Sequence, residues 1–128
     1  MADVTVDISQ LAALAADLRR HSRETPSKLV PVVSRGALQI KRDWQRAWSG
    51  LAHAPALPAA VTYDVKVGAR TVEAEIGPDK GRRQGALGNI IEFGTSNNAP
   101  IPGGAPALRN EEPKFLTAVE KIAGGILG

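Results

Sequence analysis

Two runs of strict alternation, Val61–Val67 and Val72–Ile76, constrain this chain more than any other feature. In the first, Val61, Tyr63, Val65 and Val67 are separated by Thr62, Asp64 and Lys66; in the second, Val72, Ala74 and Ile76 are separated by Glu73 and Glu75. Successive side chains of a strand point to opposite faces, so each run carries one apolar and one polar face. Only a short Gly68-Ala69-Arg70 stretch lies before the pattern resumes at Thr71, and Gly77-Pro78 ends it. The pair reads as an antiparallel hairpin, buried on one side and wet on the other. An apolar sheet face needs a cover, and the flanking segments supply helical patterns.

The longest of these is the stripe Leu29, Val33, Ala37, Ile40, Trp44, Ala47 or Trp48, and Leu51, at a period near 3.6. Thr25-Pro26 is its start signal, a capping residue followed by Pro in the first turn. Pro31 predicts a late start or a kink, and Gly50 predicts the stop. Lys28, Arg35, Lys41, Arg42 and Arg46 occupy the opposite face. Upstream, Val4, Val6 and Ile8 alternate as a short strand, and a helix follows with Ile8, Leu11, Leu14 or Ala15, and Leu18 on one side. Asp7 and Gln10 have capping-box spacing, Val6 and Leu11 the spacing of a hydrophobic staple. That helix is expected to end near His21-Ser22, with Arg19 and Arg20 suiting its negative end.

Ala52 to Pro58 is an Ala/Pro linker with an extended, non-helical path expected. Residues 78 to 89 hold Lys80, Arg82 and Arg83 among Gly81, Gly85 and Gly88, and predict a mobile basic loop. Residues 90 to 93 are apolar apart from Glu92, and a second mobile loop runs from Gly94 to about Pro106. The last segment has Leu108, Phe115, Leu116, Val119 and Ile122 on one side; Pro113 argues that its helix begins near Glu111-Glu112. The expectation is one α+β domain over residues 1–128. Its antiparallel sheet, with a central hairpin, is packed by a long helix from the N-terminal half and a C-terminal helix.

With two Trp, two Phe and one Tyr in 128 residues, the core must come mainly from Ala, Val, Leu and Ile. Small side chains remove less area each, at about 25 cal/mol per Å2. Modest stability as a monomer is expected, with further burial against neighbouring subunits. The absence of cysteine excludes disulfides and thiolate metal sites. No secretory signal and no membrane span are expected from the sequence, and a net charge of +3 allows only weak, salt-sensitive attraction to nucleic acid or an acidic partner.

Residues for catalysis do not gather. His21 and His53 lack a nucleophile or carboxylate at a motif spacing, and no His-x-x-x-His pair offers a metal site. Glu73 and Glu75 share one strand face, where Lys66 and Arg70 are available as cross-strand partners. The glycines at 81, 85 and 88 match neither a phosphate-binding nor a dinucleotide-binding spacing. No catalytic, cofactor or metal role is therefore assigned, and the chain is expected not to be an enzyme. Nucleic-acid binding is the alternative. It would use Lys80, Arg82 and Arg83, or the row Arg35, Lys41, Arg42 and Arg46; the aromatics nearby, Trp44 and Trp48, lie on the apolar stripe and suit core or subunit packing.

Ile90-Ile91-Glu92-Phe93-Gly94-Thr95, followed by a polar, Pro-rich loop, Pro106-Ala107-Leu108 and a terminal helix, resembles the neck and tail-completion proteins of long-tailed bacteriophages. The order of a long early helix, a hairpin and then the Glu-Phe-Gly-Thr turn matches over about residues 5 to 125. The chain departs from that pattern at Ala54–Ala59, where the family often has Thr-Gly and a Leu-Arg pair, and at Gly103-Gly104-Ala105, where it often has Pro-Phe-Leu. The resemblance implies a structural virion subunit at the head–tail junction, either a neck ring or a tail terminator. It would assemble in the host cytoplasm into a homo-oligomeric ring, a hexamer, beside other neck and tail proteins, with weak contact to DNA in the lumen. The interface is expected at Glu92, Phe93, Gly94, Thr95, Lys80, Arg82, Arg83, Trp44 and Trp48, and deletion of residues 80–87 is expected to spare the fold while impairing assembly. Gly94 suits a positive φ that closes a turn, and Thr95 can bond the local backbone. Glu92 has two readings: buried, with an Arg of its own or a neighbouring subunit as partner, or exposed on an amphipathic turn.

Overall fold

The alternating runs form the hairpin that their pattern requires. The computed structural model describes the backbone of residues 4–7, 25–68 and 72–127, and the side chains of residues 28–68 and 72–122. Strands β1 (Val4–Asp7), β2 (Val61–Val67) and β3 (Val72–Pro78) make one antiparallel sheet in the order β1-β3-β2. The register places Tyr63 opposite Ile76, Val65 opposite Ala74 and Asp64 opposite Glu75, while Val6 pairs with Ala74 from the other side. One face therefore carries Val61, Tyr63, Val65, Val72, Ala74 and Ile76, and the other carries Asp64, Lys66, Glu73 and Glu75. The helix expected over Ile8–Ser22 lies outside the described residues.

Helix α1 (Thr25–Ala47) covers the apolar face of the sheet. Its stripe is as the spacing predicts: Leu29, Val33, Ala37, Ile40, Trp44 and Trp48 are all buried, and Ala47 is exposed. The helix starts at Thr25 and is unbroken at Pro31, which corrects the expected late start. Pro31 is exposed, so the helix gives up one backbone hydrogen bond there without disturbing its packed side. The chain leaves the helix at Gly50, whose φ of +82° is a left-handed conformation that glycine adopts without strain.

The Ala/Pro linker is not extended throughout. Leu57–Ala60 forms a one-turn helix, α2, with Pro58 in its first turn. Ala54, Leu57 and Ala60 are buried in the main core. Gln45 on α1 fastens the segment by donating from Nε2 to the carbonyl of Pro58 at 3.0 Å. Burial of these apolar groups favours a compact path over the extended one that two prolines suggest locally.

Helix α4 (Gly104–Leu127) packs on α1, so α1 touches both the sheet and α4. Ala107, Phe115 and Val119 are buried in the seam, and Leu108 and Ile122 pack at its margin. Gly36 of α1 faces the Phe115 ring; a Cβ there would stand 3.3 Å from Cδ2, so the missing side chain lets the helices approach closely. The helix starts at Gly104, not near Glu111, and Pro113 lies inside it on the exposed side. A carboxylate supplied by another segment stabilises this earlier start, as described below.

Candidate assembly interface

The segment from Asp79 to Gly104 joins the sheet to α4. It opens as a chain of turns. Asp79 accepts from Gly81 N–H through Oδ1 at 2.8 Å and from Arg82 N–H through its carbonyl at 3.0 Å. Gln84 sits in a left-handed conformation (φ 63°) and accepts from the Ala56 N–H at 2.6 Å. A 3-10 turn over Gly85–Leu87 then runs into helix α3 (Gly88–Phe93). A side chain at Gly85 would collide with the Asp79 carbonyl. Residues 85–89 are therefore helical rather than loop, and deletion of residues 80–87 would remove packed, hydrogen-bonded structure. Lys80, Arg82 and Arg83 are all exposed, and Arg82 lies 3.8 Å from the Asp79 carboxylate.

The key residue is Glu92. Its side chain is buried, and its carboxylate accepts from the N–H groups of Gly103 (2.9 and 3.1 Å) and Gly104 (both 3.2 Å). These amides open α4, and the Gly103 carbonyl accepts the N–H of Ala107, so Gly103 stands at the helix cap. The first N–H groups of a helix have no partner within it, and its N-terminus carries partial positive charge. Glu92 satisfies both demands from outside the helix. Of the two readings of Glu92 the buried one holds, but its partner is not an Arg: the backbone amides of Gly103 and Gly104 hold the carboxylate within the chain.

Why glycine occupies both capping positions follows from Trp44. Its indole lies against the Gly103-Gly104 backbone. A Cβ on Gly103 would collide with the ring, and one on Gly104 would stand 2.7 Å from Cη2. Trp44 and Trp48 meet edge to face, with centroids 5.6 Å apart and planes at 73°, and Trp48 Nε1 donates to the Ile101 carbonyl at 2.8 Å. Both tryptophans are fully buried, which corrects their assignment to a subunit interface. They belong to the main core. Trp44 Nε1 has no hydrogen-bond partner among the described residues.

The rest of the motif forms the turn it suggests. Gly94 has φ +73°, and a Cβ there would stand 2.7 Å from the Asn98 carbonyl. Thr95 N–H donates to the Asn98 carbonyl at 2.9 Å, and Thr95 Oγ1 accepts from Asn97 and Asn98 N–H at 3.3 and 3.2 Å. Ile101 N–H donates to the Ile91 carbonyl at 2.7 Å, which lays Ile101 beside α3. The outward side is apolar. Phe93 is 66% exposed, Ile90 46%, Ile101 39% and Leu87 37%. Ile90 and Phe93 are three apart and share one side of the short helix, and Leu87, at the end of the preceding 3-10 turn, continues the same spacing.

Elsewhere, a groove of about 690 Å3 follows the α1–α4 seam, lined by Arg35, Gly36, Gln39, Glu111, Lys114 and Phe115. Glu111 is buried there, and burial pushes its carboxyl above the ordinary range, against the opposing pull of Lys114. On the sheet, Lys66 Nζ pairs with Glu75 at 3.0 Å; that hydrogen bond, then the charge of Glu75, raises the Lys66 pKa. His53 is exposed, and among the described residues no group of three or more His, Asp or Glu is placed to hold a metal ion. Among those residues no helix is long and apolar enough to cross a membrane.

Sequence reasoning singled out Glu92, Phe93, Gly94 and Thr95 but missed Gly103 and Gly104, which stood only as a departure from a pattern. A signal was present. Pro102-Gly103-Gly104 precedes an apolar helical pattern without a Ser, Thr, Asp or Asn to cap it, and one unpaired acid lies a loop away. Comparison with protein-family models, curated proteins and solved structures gives no match for this chain.

Proposed function

We propose that this chain is a structural, non-enzymatic subunit of the head–tail junction of a long-tailed phage, a neck ring or a tail terminator, and that it works by assembling into a closed homo-oligomeric ring. The observation that carries the reading is the apolar side of α3. Four of the five exposed large hydrophobic side chains among the described residues lie between Leu87 and Ile101. Scattered exposed apolar residues need no explanation, but four gathered within one short segment, with Ile101 tied by its backbone to Ile91, suit an interaction surface. The Glu92 clamp and the two tryptophans hold this surface in place, as an interface that must repeat around a ring requires. The likeness of Ile90–Thr95 to the neck and tail-completion proteins gives the kind of assembly.

The test is light scattering with electron microscopy of the purified protein across concentration. Rings of uniform size are the expected result. A chain that stays monomeric to millimolar concentration sinks the proposal. The rival reading, a small nucleic-acid-binding protein, draws on the exposed Lys80, Arg82 and Arg83. It calls for tight DNA or RNA binding that falls steeply with salt, whereas the ring subunit is expected to bind DNA weakly.

A further inference from the structure

Helix α1 carries most of its cations in one row. At about 100° per residue, Lys28, Arg35, Arg42 and Arg46 fall within roughly 40° of one another, on the side opposite the buried stripe. All four are exposed, and at 1.5 Å per residue the row spans roughly 27 Å. Lys41 stands apart from it, 5.8 Å from the centroid of the Tyr63 ring. Helix α4 adds to the row across the seam: Lys114 and Lys121, seven apart and both exposed, line the α1–α4 groove together with Arg35. Further along the seam, Arg46 and Asn110 border a second open hollow. Acids are few on this side. Glu112 and Glu120 of α4 line neither hollow. Asp43 is shared between Arg46 and Asn110, each at 3.2 Å, and Glu111 is buried, which favours its neutral form. Among the described residues Lys28, Arg35, Arg42, Lys114 and Lys121 make no ion pair.

We infer that this side of the molecule, Lys28, Arg35, Arg42 and Arg46 of α1 with Lys114 and Lys121 of α4, is a contact surface for the phosphate backbone of double-stranded DNA. The inference rests on the ring-subunit reading and names the residues for the weak DNA contact that reading expects, a different set from Lys80, Arg82 and Arg83. A helix packed on both a sheet and a second helix holds its cations at fixed spacing along a line, and phosphates can be met that way without any base being read. The absence of apolar groups narrows the partner to a polyanion. Among the described residues no exposed large hydrophobic side chain lies on α1 or α4. A protein partner would bury an apolar centre, and a helix at a lipid surface needs an apolar side to insert. The aromatic residues select duplex over single strand. Single-stranded sites stack bases on aromatic rings, whereas Trp44, Trp48 and Phe115 are all buried. The contact is therefore indifferent to sequence and weak for one chain, and copies held in one ring act together.

Fluorescence anisotropy of the whole chain with a labelled duplex of mixed sequence, repeated across salt concentration, tests this. The parent is expected to bind at low salt with a Kd of about 10 μM, and log affinity is expected to fall with log salt by about 0.9 for each phosphate contacted. Arg42→Glu with Lys121→Glu, one cation from each helix, is expected to weaken binding by on the order of 10-fold and to flatten that slope by about 2. Arg35→Gln with Arg42→Gln is the milder pair, expected to lose affinity in the same direction; a circular dichroism spectrum like the parent's shows that each pair is folded. Arg82→Glu with Arg83→Glu is expected to bind as the parent does. Loss of binding in that variant, with parent-like binding by the α1 and α4 variants, would overturn this surface in favour of the 79–84 turns. Equal affinity for the duplex and for polyglutamate at the same salt overturns the assignment to DNA, and tighter binding of a single strand overturns the choice of duplex. Light scattering separates the two readings: rings without duplex binding overturn this surface alone, and a parent that never associates overturns the ring.

Discussion

Glu92 illustrates how much one side chain can decide. A carboxylate inside an apolar segment costs several kcal/mol unless it is bonded, and here it accepts four N–H contacts from two amides. Hydrogen bonds to charged groups contribute about 1.5–3 kcal/mol each at best, and a buried donor left without a partner costs about 1–3 kcal/mol. Glu92→Ala is therefore expected to destabilise the fold by about 3 kcal/mol, combining lost bonds, two stranded amides and a small cavity. Glu92→Gln retains one acceptor oxygen and is expected to cost about half as much. Urea unfolding of both variants measures this, and an alanine variant within 0.5 kcal/mol of the parent (a threshold within the roughly ±0.5 kcal/mol of ordinary surface changes) would show that the clamp is not needed.

At the scale of elements, the seam between α1 and α4 holds the second buried acid. Glu111 lies in that groove, and desolvation raises its pKa. The folded state thus binds this proton more tightly than the unfolded state. The contribution of Glu111 to stability is full below the ordinary carboxyl range, about pH 4, and is lost as pH rises through the elevated folded value. Glu111→Gln is neutral throughout. It is expected to raise the melting temperature at pH 7 and to lose that advantage toward pH 4, as thermal melts at the two pH values would read; an equal shift at both would assign the effect to packing instead. The seam also explains why α4 tolerates Pro113. An internal proline costs about 3 kcal/mol, but this one is on the exposed side, while Phe115 and Val119 beside it are buried.

For the whole molecule, a core of mainly small side chains and an uncovered apolar surface have one consequence in common. Self-association would add burial that the monomer lacks, and binding that favours the native state raises apparent stability by mass action. The melting temperature is expected to rise with protein concentration, and the rise should vanish in Phe93→Ser. Scanning calorimetry over a hundredfold concentration range checks this; a midpoint that does not move would count against assembly under those conditions.

The alternation at 61–76 and the stripe from Leu29 to Trp48 were legible because periodicity is local: it states which face is apolar wherever that face ends up. The α+β class, the hairpin with its buried and wet faces, and most of the core follow from it, while the turn at Gly94 rests on a backbone conformation that glycine permits. The start of α4, the roles of Gly103 and Gly104, the burial of Glu92 and the seating of Trp44 against the Gly103-Gly104 backbone were settled only by tertiary structure. Each depends on groups that meet across the chain: a carboxylate at 92, amides at 103 and 104, and an indole at 44. No local pattern encodes that meeting, because a side chain's partner is chosen by what packing brings within hydrogen-bonding reach.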